Sequence, residues 1–181
     1  MMKMILETKR LQLREMTWAD YEALSRILQD EEVMYAYEGA FSDEETRAWL
    51  EKQLRRYRED GIGLWAVVRK DTGDMIGQCG LTWQMWKERR LLEVGYLFER
   101  RHWHQGYATE AARACMDYAF QVLHADEVGS IIRDTNLLSQ RVALRNGMVL
   151  QKEVWTKHYR GVDMPHYLYV KRRIDDAYQK E

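Results

Sequence analysis

The sequence is poor in the residues and runs that mark several classes of protein. It has one proline, Pro165, and two cysteines, Cys79 and Cys115, which lie in apolar stretches without metal-ligand spacing. We therefore expect two reduced core thiols in a cytoplasmic protein. No apolar run approaches the roughly 20 residues that span a bilayer. The charged residues between Glu7 and Arg10 also argue against a signal peptide.

Neither sign of charge dominates, since 28 Lys and Arg stand against 29 Asp and Glu. A dedicated nucleic-acid binder normally has a basic excess, so we expect no nucleic-acid partner. His102 and His104 are the one close pair among five histidines, without thiolates or carboxylates at a recognised metal-ligand spacing, so we expect no metal. A length of 181 residues without a linker or repeat predicts a single domain over residues 1–181.

The pattern of apolar residues predicts an α/β (α+β) domain with a mixed, mostly antiparallel central sheet flanked by helices. Strands are predicted at residues 11–14, 64–69, 75–81, 91–98, 127–132, 148–155 and 166–171. Helices are predicted from Thr17 to about Gln29, from Ser42 to near Gly61, after Gly106, and over residues 139–146. Turns at residues 71–74 and 87–90 make residues 64–98 an antiparallel meander. The run at 127–132 follows a helix and should return parallel, which makes one central βαβ unit.

The most informative segment is residues 103–111, with the sequence Trp-His-Gln-Gly-Tyr-Ala-Thr-Glu-Ala. A loop of small residues around Gly106 follows a predicted strand and opens directly into a predicted helix. The first N–H groups of a helix have no intrahelical partner and lie at the positive end of its dipole. The segment therefore predicts a site for a phosphate-bearing ligand. The alternative is that Gly106 simply begins a helix.

These elements, in this order, resemble the GNAT N-acetyltransferase superfamily and, within it, the RimJ/RimL-like branch. The motifs that carry the resemblance are LETKRLQLR (6–14), IGQCGL (76–81), EVGY (93–96), the loop through Gly106, and NLLSQRVALRNGM (136–148). The resemblance implies a GNAT-like acyl-CoA N-acyltransferase fold over nearly the whole chain. Trp103 replaces the usual superfamily Gln or Arg, as is common in this branch. His104 replaces the branch's usual glycine, and a positive φ there would cost some cofactor affinity.

The resemblance also implies acetyl-CoA as the donor and a primary amine as the acceptor. Backbone N–H groups of the loop would bind the pyrophosphate, because small residues let phosphate oxygens approach. The pantetheine arm would add to the strand that ends at Phe98, with Gly95 leaving room or forming a bulge. The Asn136 amide would also bind the pantetheine. The expected cofactor-binding residues are Leu97, Phe98, Gln105, Gly106, Tyr107, Ala108, Thr109, Asn136 and Ser139.

Glu93 is the first candidate for the catalytic base, because it lies thirteen residues before Gly106, as the glutamate of this branch does. The reaction needs a neutral amine, and Glu93 could take the proton directly or through a water. The alternative is a structural glutamate that pairs at the surface with Arg89 or Arg90.

Ser139 is the first candidate for the group that protonates the departing thiolate. It resembles the serine that this branch places near the cofactor sulfur. The alternative is that Ser139 only caps the start of a helix. Tyr159 and Tyr167 are alternative acids, although no spacing favours either.

Aromatic residues near the predicted turns are candidates for binding the acceptor amine by cation–π contact. The expected substrate-binding residues are Tyr35, Trp83 and Trp86, with Tyr37 and Glu88 beside them. The alternative is ordinary packing or a dimer surface, since family members are often dimers.

The leading acceptor is a protein N-terminal α-amine, as for RimJ/RimL-like enzymes. The alternatives are a small amine such as a polyamine, an amino acid or an antibiotic, or a non-catalytic acyl-CoA-binding module. An acidic cleft would favour a polycation, which the acidic run at residues 30–32 permits.

Overall fold

Eight strands form one sheet in the part of the chain that the computed structural model describes, residues 2–37 and 39–174. The strands are β1 (Met4–Glu7), β2 (Leu11–Arg14), β3 (Leu64–Arg69), β4 (Met75–Trp86), β5 (Arg89–Phe98), β6 (Glu127–Arg133), β7 (Val149–Tyr159) and β8 (Val162–Arg172). The helices are α1 (Tyr21–Leu28), α2 (Glu31–Met34), α3 (Asp43–Glu59), α4 (Tyr107–Gln121) and α5 (Leu137–Arg145). Short 3₁₀ turns lie at Trp18–Asp20 and Arg100–His102.

The sheet confirms the predicted mixed, mostly antiparallel architecture. Its strand order is β1-β2-β3-β4-β5-β6-β8-β7, and β5 with β6 is the only parallel pair among the described residues. Helix α4 connects these two strands, which confirms the predicted βαβ unit. Their ladder is limited to one register pair, Glu93 with Gly129. Beyond that pair, no strand among residues 2–37 and 39–174 pairs with the C-terminal half of β5 on its β6 side.

Two helix starts follow the local chemistry of their residues. The Ser42 hydroxyl accepts the Glu45 N–H at 3.1 Å, and the Glu45 carboxylate accepts the Ser42 N–H at 3.1 Å. This reciprocal pair satisfies two N–H groups that would otherwise lack a partner, so α3 begins where predicted. Thr17 makes the same arrangement with Asp20, but residues 18–20 form a 3₁₀ turn before α1 begins.

Several element boundaries differ from the prediction. Strand β2 has the predicted bounds, but an additional strand, β1, precedes it and pairs with it as a hairpin. Strand β4 continues to Trp86 and β5 begins at Arg89, so the turn between them is only Lys87-Glu88. Strands β7 and β8 extend to meet at Arg160-Gly161, where both residues have positive φ, 48° and 76°. Helix α2 is an additional element that the sequence pattern did not predict.

The hydrophobic core lies on both faces of the sheet. One cluster packs α4 against the central strands, and the other packs α1 and α3 against the opposite face. The predicted core face of β5 is confirmed, since Val94 and Phe98 are buried and Tyr96 packs against the same cluster. Cys79 and Cys115 are buried free thiols, with 3.7 Å between their sulfur atoms. Within the described residues, no helix is both long enough and apolar enough to cross a membrane.

Candidate active site

A cavity of about 280 Å³, which we call the α4 cavity, lies where β5 ends and α4 and α5 begin. It brings together residues that are far apart in the sequence. Eight of the nine predicted cofactor-binding residues line it: Leu97, Phe98, Gly106, Tyr107, Ala108, Thr109, Asn136 and Ser139. The ninth, Gln105, lies outside the lining, and its side chain is within 3.4 Å of the Arg101 carbonyl.

The start of α4 has the backbone geometry of an anion site. Gly106 is the N-cap in the left-handed region at φ 81°, and no side chain caps the helix there. The first N–H groups of α4 therefore remain available at the positive end of the helix dipole. His104, two residues earlier, has φ 61°, so this position does adopt the positive φ for which the sequence analysis gave a cost. A non-glycine residue in this region stores some strain.

The turn between β1 and β2, near the N-terminus of the chain, holds the loop around Gly106 in place. The Arg10 guanidinium donates to the Gln105 carbonyl at 2.9 Å and to the Glu110 carboxylate at 2.8 Å. It also lies 4.3 Å from the centre of the Tyr107 ring. The Thr8 hydroxyl donates to the other Glu110 oxygen at 2.6 Å. Burial alone would raise the pKa of Glu110, but these hydrogen bonds hold it below its usual value.

Sequence reasoning did not assign roles to Thr8, Arg10 or Glu110. The available signal was a carboxylate in the first turn of α4, whose charge would oppose a bound phosphate unless a cation neutralised it. The sequence analysis also assigned no role to Arg141 and Arg145, which line the α4 cavity from α5. They are four residues apart, and this spacing places both on one face of the helix.

A second cavity, of about 480 Å³, surrounds the Glu93 side chain, and we call it the Glu93 cavity. Glu93 lies at the single pairing point between β5 and β6, and its carboxylate accepts the Ile131 N–H at 2.6 Å. Burial raises the pKa of Glu93 to about 7, although the Ile131 N–H and the cations Lys157 and Arg56 oppose the rise. A carboxyl group with this pKa is suited to exchange protons near neutral pH.

The alternative surface role for Glu93 is wrong, because both proposed partners are engaged elsewhere. Arg89 pairs with Glu127 at 2.7 Å. The Arg90 guanidinium lies 4.2 Å from the centre of the Trp83 ring. Glu93 instead faces the cavity, which leaves the catalytic interpretation open to it.

The two cavities meet, and Ser139 lies at their junction. The residues that line both are Ala36, Tyr96, Leu97, Asn136 and Ser139. The Asn136 side chain accepts the Ser139 N–H at 3.3 Å, and the Tyr96 hydroxyl donates to the Ser139 carbonyl at 2.9 Å. Because Asn136 is the cap of α5, the alternative role of Ser139 as the cap is wrong. The Tyr96 and Ser139 side chains also hydrogen-bond each other, which opposes the rise that burial causes in the pKa of Tyr96.

The predicted aromatic acceptor site is only partly assembled. Tyr35 lines the α4 cavity, and its hydroxyl donates to the Thr135 carbonyl at 2.7 Å. Tyr37 and Tyr159 line the Glu93 cavity, whereas Tyr167 packs against the core and lines neither cavity.

Trp83 and Trp86 are misplaced in the prediction, because β4 extends through both of them. Trp83 is 39% exposed and is covered by Arg90. Trp86 is 3% exposed and packs edge-on against Trp155 in a small separate cluster. Neither tryptophan lines the α4 cavity or the Glu93 cavity, and Glu88 lies in the turn beyond them.

The chain is similar to a known protein family and to several curated proteins. The family model described as "Acetyltransferase (GNAT) domain" matches residues 10–149. The chain is 39% identical over 155 residues to the uncharacterized protein YkkB of Bacillus subtilis, which covers 84% of this chain and 90% of that protein. It is 32% identical over 157 residues to the uncharacterized N-acetyltransferase YoaA of Bacillus subtilis, which covers 86% of this chain and 87% of that protein.

One solved structure with a similar fold contains a ligand. It is RimL, described as a ribosomal L7/L12 alpha-N-protein acetyltransferase in complex with coenzyme A. Its TM-score is 0.76 at 17% identity, and the alignment covers 96% of this chain and all of that chain, 100%. This likeness concerns the fold.

Proposed function

Since this chain belongs to the GNAT acetyltransferase family, with RimJ/RimL-like relatives, we propose that it transfers the acetyl group of acetyl-CoA to a primary amine. The preferred acceptor in this proposal is the N-terminal α-amine of a peptide or protein. The observation that carries it is the Glu93 carboxyl group, which faces a cavity with its pKa raised to about 7.

The α4 cavity fits the co-substrate. The uncapped N-terminus of α4 supplies N–H donors for the pyrophosphate, and Gly106 brings the backbone close. The pantetheine would lie along Leu97 and Phe98, where no strand of the described chain pairs with β5 on its β6 side. Arg141 and Arg145 would provide positive charge for the phosphates. The solved RimL structure, in which that protein holds coenzyme A, supports the same assignment by analogy.

The pKa of Glu93 favours an α-amine over a lysine side chain. A peptide α-ammonium has a pKa of about 7.7–8.0, so transferring its proton to a base of pKa about 7 costs roughly 1 kcal/mol. A lysine ammonium, with a pKa of about 10.4, would cost between about 4 and 5 kcal/mol. The base is therefore matched to an α-amine.

The reaction proceeds by direct attack. Glu93 takes a proton from the acceptor ammonium, directly or through one water, and the amine nitrogen then bonds to the thioester carbonyl carbon. The carbon–sulfur bond breaks, the second proton passes from the nitrogen to solvent water as the amide forms, and Glu93 then releases its proton to solvent. The Ser139 hydroxyl, at the junction of the two cavities, donates to the departing sulfur and is reprotonated from solvent.

The proposal is tested by measuring free-thiol release from acetyl-CoA with two acceptor pools, N-terminal peptides and small amines. Turnover with peptides supports it, and turnover with small amines alone would move the acceptor to that class. Binding of acetyl-CoA in calorimetry without turnover in either pool would favour a non-catalytic module and contradict the proposal.

A further inference from the structure

The Glu93 cavity has an uneven distribution of charge. Lys52 and Arg56 reach it from α3, Arg133 from the end of β6, and Lys157 from β7. Among the described lining residues, Glu93 is the only carboxylate. Four permanent cations therefore surround one acidic group in a chain whose overall charge nearly cancels.

These cations lack the acidic partners that other basic residues of the chain have. Arg14 pairs with Asp20 at 2.9 Å and Arg89 with Glu127 at 2.7 Å. In the described part of the chain, no carboxylate lies within ion-pair distance of Lys52, Arg56, Arg133 or Lys157. The positive charge of the cavity is therefore not neutralised by direct contact.

The contacts that these cations do make are neutral. Arg56 donates to the Gln53 side chain at 3.2 Å, and Lys157 lies 4.9 Å from the centre of the Trp155 ring. Arg133 donates one N–H to the Tyr35 carbonyl at 3.1 Å. Its Nε is buried without a hydrogen-bond partner in the described residues. A buried donor without an acceptor is costly, so a ligand oxygen at this position would be stabilising.

Burial also lowers the pKa of Arg56, even though Asp60 and Glu93 attract its charge through space. A guanidinium in this position gains from any anion that enters the cavity. A polycation, in contrast, would meet four like charges.

The acidic run at residues 30–32, which permitted a polycationic acceptor, does not change the charge of the Glu93 cavity. Asp30 and Glu32 pair with Arg100 at 3.3 Å and 2.7 Å. Neither residue lines the Glu93 cavity.

We propose that the Glu93 cavity selects acceptors that carry a carboxylate close to their reactive amine. This inference rests on the proposed function, because it specifies the acceptor of the same site. Glu93 receives the ammonium end, and the cations from α3, β6 and β7 receive the carboxylate. The carboxylate can belong to an acidic side chain near a peptide N-terminus or to a free amino acid.

The test compares acceptors that differ only in the carboxylate. Peptides that begin with Asp or Glu are compared with matched Asn or Gln peptides, free amino acids with their amides, and spermidine is added as a polycation. The expected result is a kcat/KM at least about tenfold higher for the carboxylate member of each reactive pair. The preference should fall when ionic strength rises from about 0.01 to 0.15 M, which shortens the Debye length from about 30 to 8 Å.

A double variant identifies the source of the preference. Lys52→Gln with Lys157→Gln removes two exposed cations of the cavity, and Lys152→Gln removes an exposed lysine of the same strand, β7, outside it. The double variant should narrow the ratio between carboxylate and amide acceptors by about tenfold, mainly through KM. The control variant should keep the ratio of the unmodified protein.

The outcomes separate this inference from the proposed function. Turnover that is equal or faster with amide peptides or spermidine would overturn the inference and leave acetyl transfer intact. If no acceptor reacts, the proposed function fails, and calorimetry with the same acceptor pairs decides the inference alone. Binding of the carboxylate member only, weakened in the double variant, supports it, whereas equal binding or no binding overturns it.

Discussion

Replacing Glu93 by glutamine separates the catalytic role of this residue from its structural one. The glutamine side chain keeps an oxygen that can accept the Ile131 N–H, which now bonds to Glu93 at 2.6 Å. It cannot take a proton from an ammonium group. Loss of a positioned base typically slows a reaction by 10²–10⁴-fold, so we expect kcat/KM for the acceptor to fall by about that factor. Glu127→Gln, on β6 and outside both cavities, is the matched control and should keep the original rate.

The pH dependence provides an independent readout of the same change. The carboxylate is the basic form, and the pKa of Glu93 is about 7. With the unmodified protein, kcat/KM should therefore rise as pH increases through about 7, where Glu93 becomes able to take the proton of the acceptor ammonium. In Glu93→Gln the rise should instead occur near pH 8, where the acceptor amine loses its proton without a base. A full-rate variant, or one that keeps the rise near pH 7, would refute the assignment of Glu93 as the base.

The same residue should decrease stability at neutral pH. Its pKa in the folded protein, about 7, lies above the usual 4.5, so the native state holds this proton more tightly than the unfolded chain does. The free energy of unfolding should therefore fall as pH rises from about 4.5 to 7, by about 1 to 3 kcal/mol once solvent screening of the partly exposed side chain is included. Urea denaturation at pH 5 and 8 should show that Glu93→Gln loses less stability than the unmodified protein. Equal losses would contradict the raised pKa.

Three further substitutions test other parts of the structure. Ser139→Ala should lower kcat by about 10²-fold with little change in the KM for acetyl-CoA, and an unchanged kcat in steady-state assays would remove this hydroxyl from the mechanism. Gly106→Val should weaken acetyl-CoA binding at least about tenfold in calorimetry, because φ is 81° and a Cβ would lie 3.4 Å from Arg10 Nη2. Ser42→Ala should lower the unfolding free energy by about 1 kcal/mol in urea titrations through loss of the reciprocal bonds with Glu45, while activity stays at its original level.

The features that could be predicted from sequence are those that local chemistry determines. Ser42 with Glu45 predicts the start of α3, because both hydrogen bonds form within one helical turn. Gly106 predicts the start of α4 for a similar local reason. The N-cap of α4 has a left-handed backbone conformation, which glycine adopts without steric cost because it has no Cβ. The positions of Glu93 and Ser139 followed from motif resemblance, and the structure places both on cavity walls.

The features that could not be predicted depend on distant partners. The end of β4 is set by pairing across the turn, where Trp86 lies opposite Arg89. The strand predicted at residues 166–171 begins earlier in the structure and includes Pro165, because that residue lies opposite Thr156 of β7. The charge of the Glu93 cavity combines side chains from α3, β6 and β7, and no single segment shows that combination.

The single pair of residues that joins β5 to β6 has a mechanical consequence. The sheet has two parts: the strands from β1 to β5, and the group β6, β8 and β7. Within the sheet, these two parts are joined by a single register pair. Two hydrogen bonds that involve side chains also join β5 and β6: the Ser130 hydroxyl donates to the Val94 carbonyl at 3.2 Å, and the Ile131 N–H donates to the Glu93 carboxylate at 2.6 Å. A ligand that hydrogen-bonds along β5 would restrict the relative motion of the two parts of the sheet. Ligand binding should then slow amide hydrogen exchange in both parts of the sheet, including residues that the ligand does not contact.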